Sequence, residues 1–396
     1  MQEQMIWSDN IWIEGNKGWF VAGEYNAVFE IDWKKKNYSL LSNIPTKKRL
    51  GLRVNPICIK MGNQLYCLPD QGRDIWIYNM TNDSWLKVEV SNPEKCRLEF
   101  IYLGKFQSGV MCFSRGLQKV FLIKDNCELQ EILNLNVNCG KHITKMIKVH
   151  DCLYGISDET GCIFEYLIGE KQPQIYTNSD LPQGLSGICF DGDKFWMSGN
   201  KKEIYVWEKT KNQVTMINNF PKKFGVYYKN EEGKVAVGEI EDDYNLPIFI
   251  DLVYMNDTIW LFPFQTNDII TINKNDINKV TLFKIESEEE DGHILWEQKA
   301  IYHKYLHVYD FDERYIGLFS LKNDMLLEID SQVKKYKYLP LHYTMGNKAI
   351  ENNDSYCEKN KEHRWFYTQD VCQRKRILDK NESCVGKYIW DTLSQR

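Results

Sequence analysis

Residues 56–90 read PICIKMGNQLYCLPDQGRDIWIYNMTNDSWLKVEV. An apolar run, 56–61, ends at the turn dipeptide Gly62-Asn63, and a second run follows at 64–68. A loop at 69–73 leads into a third run, 74–78, and a turn at 79–83 leads into a fourth, 84–90. Each run has the length of a β-strand, and Gly, Asn, Asp and Pro at the breaks supply the backbone angles that turns require. The stretch predicts a four-stranded antiparallel meander.

The second run, centred on Leu65-Tyr66-Cys67, recurs. Its counterparts are Trp19-Phe20-Val21, Val110-Met111-Cys112, Leu153-Tyr154-Gly155, Phe195-Trp196-Met197, Ile259-Trp260-Leu261 and Tyr315-Ile316-Gly317. Middle residue to middle residue, the steps along the chain are 46, 45, 43, 42, 64 and 56. A period of about 40–50 residues built from short strands is the signature of a β-propeller, one four-stranded blade per repeat. The expected fold is all-β, a seven-bladed propeller over residues 1–341; six blades is the alternative count. Each unit holds its own four strands, with no spare strand left to complete a last blade.

Composition agrees. Aromatic residues make up 13 % of the chain, which suits sheets that bury aromatic and β-branched faces. The net charge of −5 lacks the basic excess of a nucleic-acid binder. Nine of the 12 Cys lie in the repeat region, mostly in or beside strand-like runs, and no CxxC pair occurs. The first residues show neither a basic nor an apolar leader pattern. The expectation is free thiols in a cytoplasmic protein with no membrane association.

Two steps are long. Residues 221–247 hold Phe224-Gly225-Val226-Tyr227-Tyr228, a turn at Glu231-Glu232-Gly233, then Val235-Ala236-Val237-Gly238-Glu239-Ile240, which predicts an added hairpin. Residues 286–300 begin with the acidic run Ser287-Glu288-Glu289-Glu290-Asp291. Both join an outer strand to the next inner one, a connection that in a propeller emerges on the same face as the loops between second and third strands. Insertions gathered on one face of a repeat fold often mark its binding side. Residues 342–396 form a polar extension, with a terminal helix expected over 383–394, where Val385, Ile389 and Leu393 share a face.

Ile75-Trp76-Ile77-Tyr78-Asn79 followed by Trp85 resembles the kelch repeat, in which a third-strand Tyr precedes a fourth-strand Trp. Ile204-Tyr205-Val206-Trp207 echoes it in part, while the kelch double glycine is missing from every unit. The resemblance implies a divergent kelch-like propeller. The Gly-His and Trp-Asp marks of WD repeats and the sialidase boxes are absent from the repeats.

Galactose oxidase shares a kelch-like propeller, and the resemblance raises the question of copper. His303 and His307 form a close pair of histidines, four apart on one strand face, with no further ligand flagged by spacing. Cys357, His363, Cys372 and Cys384 are separated by 5, 8 and 11 residues, unlike zinc knuckles. The acidic runs 239–243 and 288–291 fit no calcium loop, and neither a phosphate loop nor a nucleophile elbow occurs. No cofactor, metal or catalytic residue is expected.

What remains is a loop face. Its candidate binding residues are Tyr25, Arg73, Arg115, Glu159, Lys201, Phe264, Gln265 and Asn323, in the loops between second and third strands. Aromatic rings supply contact area and Arg supplies forked hydrogen bonds. The reading is a non-catalytic binding or scaffold propeller for a protein partner. The alternative is a carbohydrate-active enzyme or glycan-binding module that uses the central channel.

Overall fold

A computed structural model describes residues 10–22, 26–46, 54–138, 142–159, 161–222, 224–229, 235–238, 247–263, 269–283, 305–311, 315–320, 325–340 and 342–343. The first sheet contains β1 (Trp12–Glu14), β2 (Lys17–Ala22), β3 (Ala27–Asp32) and β4 (Asn37–Asn43). The second contains β5 (Ile57–Met61), β6 (Gln64–Leu68), β7 (Asp74–Asn79) and β8 (Ser84–Glu89). The third contains β9 (Phe100–Phe106), β10 (Gly109–Ser114), β11 (Lys119–Ile123) and β12 (Leu129–Asn134), followed by a one-turn helix, Leu135–Asn138. The fourth contains β13 (Lys145–Val149), β14 (Cys152–Ile156), β15 (Cys162–Leu167) and β16 (Gln174–Thr177).

The fifth sheet is β17 (Leu185–Phe190), β18 (Phe195–Gly199), β19 (Ile204–Glu208) and β20 (Gln213–Ile217). The predicted hairpin follows as β21 (Val226–Lys229) and β22 (Val235–Gly238), paired only with each other. The sixth sheet is β23 (Phe249–Met255), β24 (Thr258–Pro263), β25 (Ile269–Asn273) and β26 (Asp276–Phe283). The last is β27 (Tyr305–Phe311), β28 (Tyr315–Ser320), β29 (Met325–Asp330) and β30 (Lys335–Pro340).

In each of the seven repeats the four strands pair antiparallel in sequence order, so each repeat corresponds to one sheet. The first sheet gains a fifth member. β31 (His342–Tyr343) lies parallel to β4, with His342 opposite Asn37 and Tyr343 opposite Tyr38. It extends a sheet that already has four strands and so does not complete a blade. The exposed edge of β4 offers the unpaired N–H and C=O groups that make this possible. A two-residue strand is too short to show alternation in sequence.

The chain divides into two units. One comprises residues 1–134 with 303–360, the other 135–302 with 361–396. In the first, the second-strand residues alternate between neighbours. Leu65 and Cys67 pack with Trp19, Val21 and Val28 of the first sheet. Tyr66 and Leu68 pack with Val110, Cys112 and Phe121 of the third. This is the period-two side-chain rule applied to a sheet covered on both faces. In the second unit, Tyr154, Ile156 and Ile163 meet Phe195, Met197 and Trp207. On the other face of the fifth sheet, Trp196, Ile204 and Val206 meet Phe249, Leu252 and Ile259.

Turn chemistry fixes the registers. Asn256 and Asp257 both take positive φ, 50° and 54°, between paired Met255 and Thr258, as a two-residue hairpin with the right twist demands. All eight cysteines of the described residues are free thiols, and Cys58, Cys67, Cys112, Cys162 and Cys189 are buried. No helix among the described residues is long and apolar enough to cross a membrane.

Candidate functional site

In the second and third sheets of the first unit, the loop between second and third strands is tied to the connection entering its own sheet. Gly72 and Asp70 donate their N–H groups to the carbonyl of Val54, and Gly116 donates to that of Leu98. These contacts require glycine. A Cβ on Gly72 would lie 2.5 Å from the Val54 oxygen, and one on Gly116 only 1.7 Å from the Arg97 oxygen.

This close approach assembles a charged network. The Arg97 guanidinium forks onto Asp70, Nε to Oδ1 at 2.7 Å and Nη2 to Oδ2 at 2.8 Å. Its Nη1 lies 3.3 Å from Glu99 Oε1, and Arg115 Nε donates to Glu99 Oε2 at 2.6 Å. The Asp70 side chain is 6 % exposed, while those of Arg97 and Arg115 are 40 % and 42 % exposed. Asp70 is therefore held inside, Glu99 is partly buried, and the guanidinium edges face water. Arg115 is further held by Gln118, whose Nε2 donates to its carbonyl at 2.6 Å. Bidentate Arg–carboxylate pairing fixes the plane of the guanidinium as well as its position. Arg73, immediately after Gly72, is exposed.

In the second unit, Lys201 is exposed at the start of the loop before β19. Its neighbour Lys202 places Nζ 5.0 Å over the Phe224 ring. Phe224 stacks on Phe220 and Phe249 with ring centroids 4.9 Å and 5.8 Å away. This stack anchors the base of the β21–β22 insertion to the sixth sheet. Glu159 lies in the loop before β15 beside Asp158, and His142 Nδ1 is 3.6 Å from Asp158 Oδ1. On the inner strands, Lys145 Nζ sits 3.7 Å from Asp251 Oδ1.

Of the residues expected from sequence, Arg115 joins the Asp70–Arg97–Glu99 network and Glu159 joins His142 and Asp158. Arg73 and Lys201 are exposed loop residues of separate units. Tyr25, Phe264, Gln265 and Asn323 lie outside the described residues, as do residues 286–300, the expected terminal helix over 383–394, His303 and the Cys357, His363, Cys372 and Cys384 set. Sequence reading missed Arg97 and Glu99 because they come from the connection entering β9. Only the hydrogen-bonded crossing of that connection over the preceding loop brings them to Asp70.

No known protein family matches the chain, and no curated protein matches its sequence. Solved structures do match its shape. Virginiamycin B lyase from Staphylococcus aureus aligns with a TM-score of 0.55 at 12 % identity, covering 82 % of this chain and 94 % of that one. YCF48 bound to D1 peptide aligns with a TM-score of 0.56 at 11 % identity, covering 82 % and 94 %. U3-55K aligns with a TM-score of 0.53 at 7 % identity, covering 81 % and 90 %. At such identities the likeness carries the architecture alone, and with the four-stranded sheets described above it makes this chain a β-propeller.

Proposed function

We propose that the chain is a non-catalytic binding propeller that recognises a protein partner through its second-to-third-strand loops and outer-to-inner connections. The observation that carries this reading is the Asp70–Arg97–Glu99–Arg115 network. Two half-exposed guanidinium groups are oriented by a buried carboxylate, Asp70, and a partly buried one, Glu99. Groups held this way lose little freedom on meeting a carboxylate of a partner. The anchored β21–β22 insertion belongs to the same series of connections. YCF48, a structure of similar shape, is bound to D1 peptide, which supports a peptide or protein as the partner. The Tyr78–Trp85 pair, with ring centroids 4.9 Å apart across β7 and β8, supports a kelch-like origin for the repeats. The free thiols support a reducing, cytoplasmic setting.

The test is affinity capture from native extract with the wild type and with the double variant Arg73→Glu, Arg115→Glu. Arg73 is exposed and Arg115 half-exposed, and thermal melting checks that the double variant stays folded. Loss of the captured partner supports the reading, and identical capture by both proteins overturns it.

A second reading, a carbohydrate-active or glycan-binding module, rests on the inner-strand pair Lys145–Asp251. Hydrolysis of a glycosidic bond ordinarily uses two carboxyl groups flanking it, whereas here an ammonium faces a carboxylate. Saturable glycan binding that is lost in Asp251→Asn would favour this second reading.

A further inference from the structure

Among the described residues, His142, Asp158 and Glu159 are the only three metal-ligating side chains with ligand atoms close together, all within 4.8 Å of one another. The backbone explains why they meet. Lys145 pairs with Ile156 in the β13–β14 ladder. The Thr144 N–H donates to the Ile156 carbonyl at 2.9 Å, and its Oγ1 donates to the same oxygen at 3.1 Å. Continuing this antiparallel register beyond the strands sets His142 opposite Glu159, with Asp158 one residue away opposite Ile143. The loop is held from a second side, since Gly184 N–H donates to the Asp158 carbonyl at 2.7 Å.

The side chains themselves are not consumed by this framework. His142 Nδ1 and Asp158 Oδ1 are 3.6 Å apart, too far for a hydrogen bond. Within the described residues the two carboxylates meet no lysine or arginine that would neutralise them. Metal–oxygen and metal–nitrogen bonds of about 2.0–2.2 Å put neighbouring donors about 3.0–3.4 Å apart in an octahedral or tetrahedral shell. The observed 3.6 Å is close to that separation. One imidazole nitrogen and two carboxylate oxygens form a mixed donor set suited to first-row divalent ions. All three residues are exposed, so the remaining coordination positions face solvent.

We propose that His142, Asp158 and Glu159 form a three-ligand site for a divalent transition-metal ion at the rim of the fourth sheet. This site shares no residue with the arginine network, so metal binding and partner capture are read separately. The open positions would accept water or an oxygen ligand from a bound molecule.

The probe is Mn2+ alone, because thiolates, abundant in this chain, prefer softer ions. Full-length protein stripped with chelator is titrated with Mn2+ while the free ion is followed by electron paramagnetic resonance. Saturable binding of one Mn2+ per chain is expected, together with nitrogen modulation of the bound-ion signal from the His142 ring. His142→Gln should abolish the nitrogen coupling, and Glu159→Gln should weaken binding roughly tenfold or more. Thermal melting checks that both variants stay folded; Asp158→Asn replaces either one that does not. Absence of saturable binding overturns the proposal. So does binding whose affinity and nitrogen coupling survive in the variants.

Discussion

The side-chain amide of Asn10 bonds the backbone of Cys58 twice, Nδ2 donating to the carbonyl and Oδ1 accepting from the N–H, each at 2.7 Å. Cys58 lies on β5, the inner strand of the second sheet, whose ladder neighbour is β6. Asn10 therefore acts as a one-residue strand on its open edge. Because both Cys58 backbone groups point away from β6, Cys58 and Cys67 form a non-hydrogen-bonded cross-strand pair, the type with the closer side chains. Asn10→Ala strips partners from two backbone groups and should lower the unfolding free energy by about 1–3 kcal/mol. Urea titration measures this. Asn10→Asp, which keeps an acceptor but sets a carboxylate against the Cys58 carbonyl, should cost at least as much.

A second network sets acid sensitivity. Glu165 accepts hydrogen bonds from Tyr154 and Tyr176, both at 2.7 Å, and from the Lys209 ammonium. Burial pushes its carboxyl up, but the bonds from Lys209, Tyr176 and Tyr154 outweigh burial and hold it below the usual carboxylate range. A depressed folded value means that the stabilisation is complete above the unfolded value and disappears as pH falls through the folded one. Glu165→Gln should therefore lose about 1–3 kcal/mol at neutral pH. Its melting temperature should fall less steeply than that of the wild type through the acid range below the ordinary carboxylate value. Calorimetric melts from neutral to acid pH compare the two slopes.

The strand plan could be read from the chain because each signal is local. The runs at 64–68 and 74–78 coincide with β6 and β7 to within a residue, since a buried second strand must be apolar throughout and its turns must contain Gly, Asn or Asp. The candidate site was legible only where its residues lie in those loops, as Arg115 and Glu159 do. Arg97 and His142 reach the same places from connections entering other strands. Their partners are set by carbonyl-to-amide crossings such as Gly116 to Leu98, which leave only a glycine in the sequence. β31 was invisible for a different reason, since His342-Tyr343 carries no alternation.

Those glycines are not equivalent. Gly62 has φ +56°, with nothing within 4 Å of a built Cβ, whereas a Cβ on Gly116 meets the Arg97 carbonyl at 1.7 Å. Gly62→Ala should cost about 1 kcal/mol, the penalty for a left-handed alanine. Gly116→Ala must displace backbone, and should cost roughly 3 kcal/mol or more. It should also disturb the Arg97–Asp70 fork. Equal melting temperatures for the two variants would show that the crossing is looser than described.

Thiol reactivity should follow burial. Burial pushes the thiols of Cys67, Cys112 and Cys189 well up, and at Cys67 the neighbouring Cys58 adds to the effect. Since the thiolate is the nucleophile, iodoacetamide at neutral pH should leave these three unmodified in the native protein. The half-buried Cys96, Cys127 and Cys152 should be modified first among the described cysteines. Peptide mass mapping before and after denaturation separates the two classes.

Arg97 and Arg115 carry the same charge but different structural duties, and lysine substitutions separate them. Arg97 closes a fork on the buried Asp70 carboxylate, whereas Arg115 bonds Glu99 from a position more than 40 % exposed. Lysine keeps the charge but cannot form the fork. Arg97→Lys leaves Asp70 incompletely satisfied and should lose about 1–3 kcal/mol. Arg115→Lys breaks only a half-exposed pair and should stay within about 1 kcal/mol of wild type. If the guanidinium edges are what a partner reads, capture should weaken in both variants despite this difference in stability. Capture that weakens only in the destabilised Arg97→Lys would instead assign the network to the fold, leaving recognition to the β21–β22 insertion.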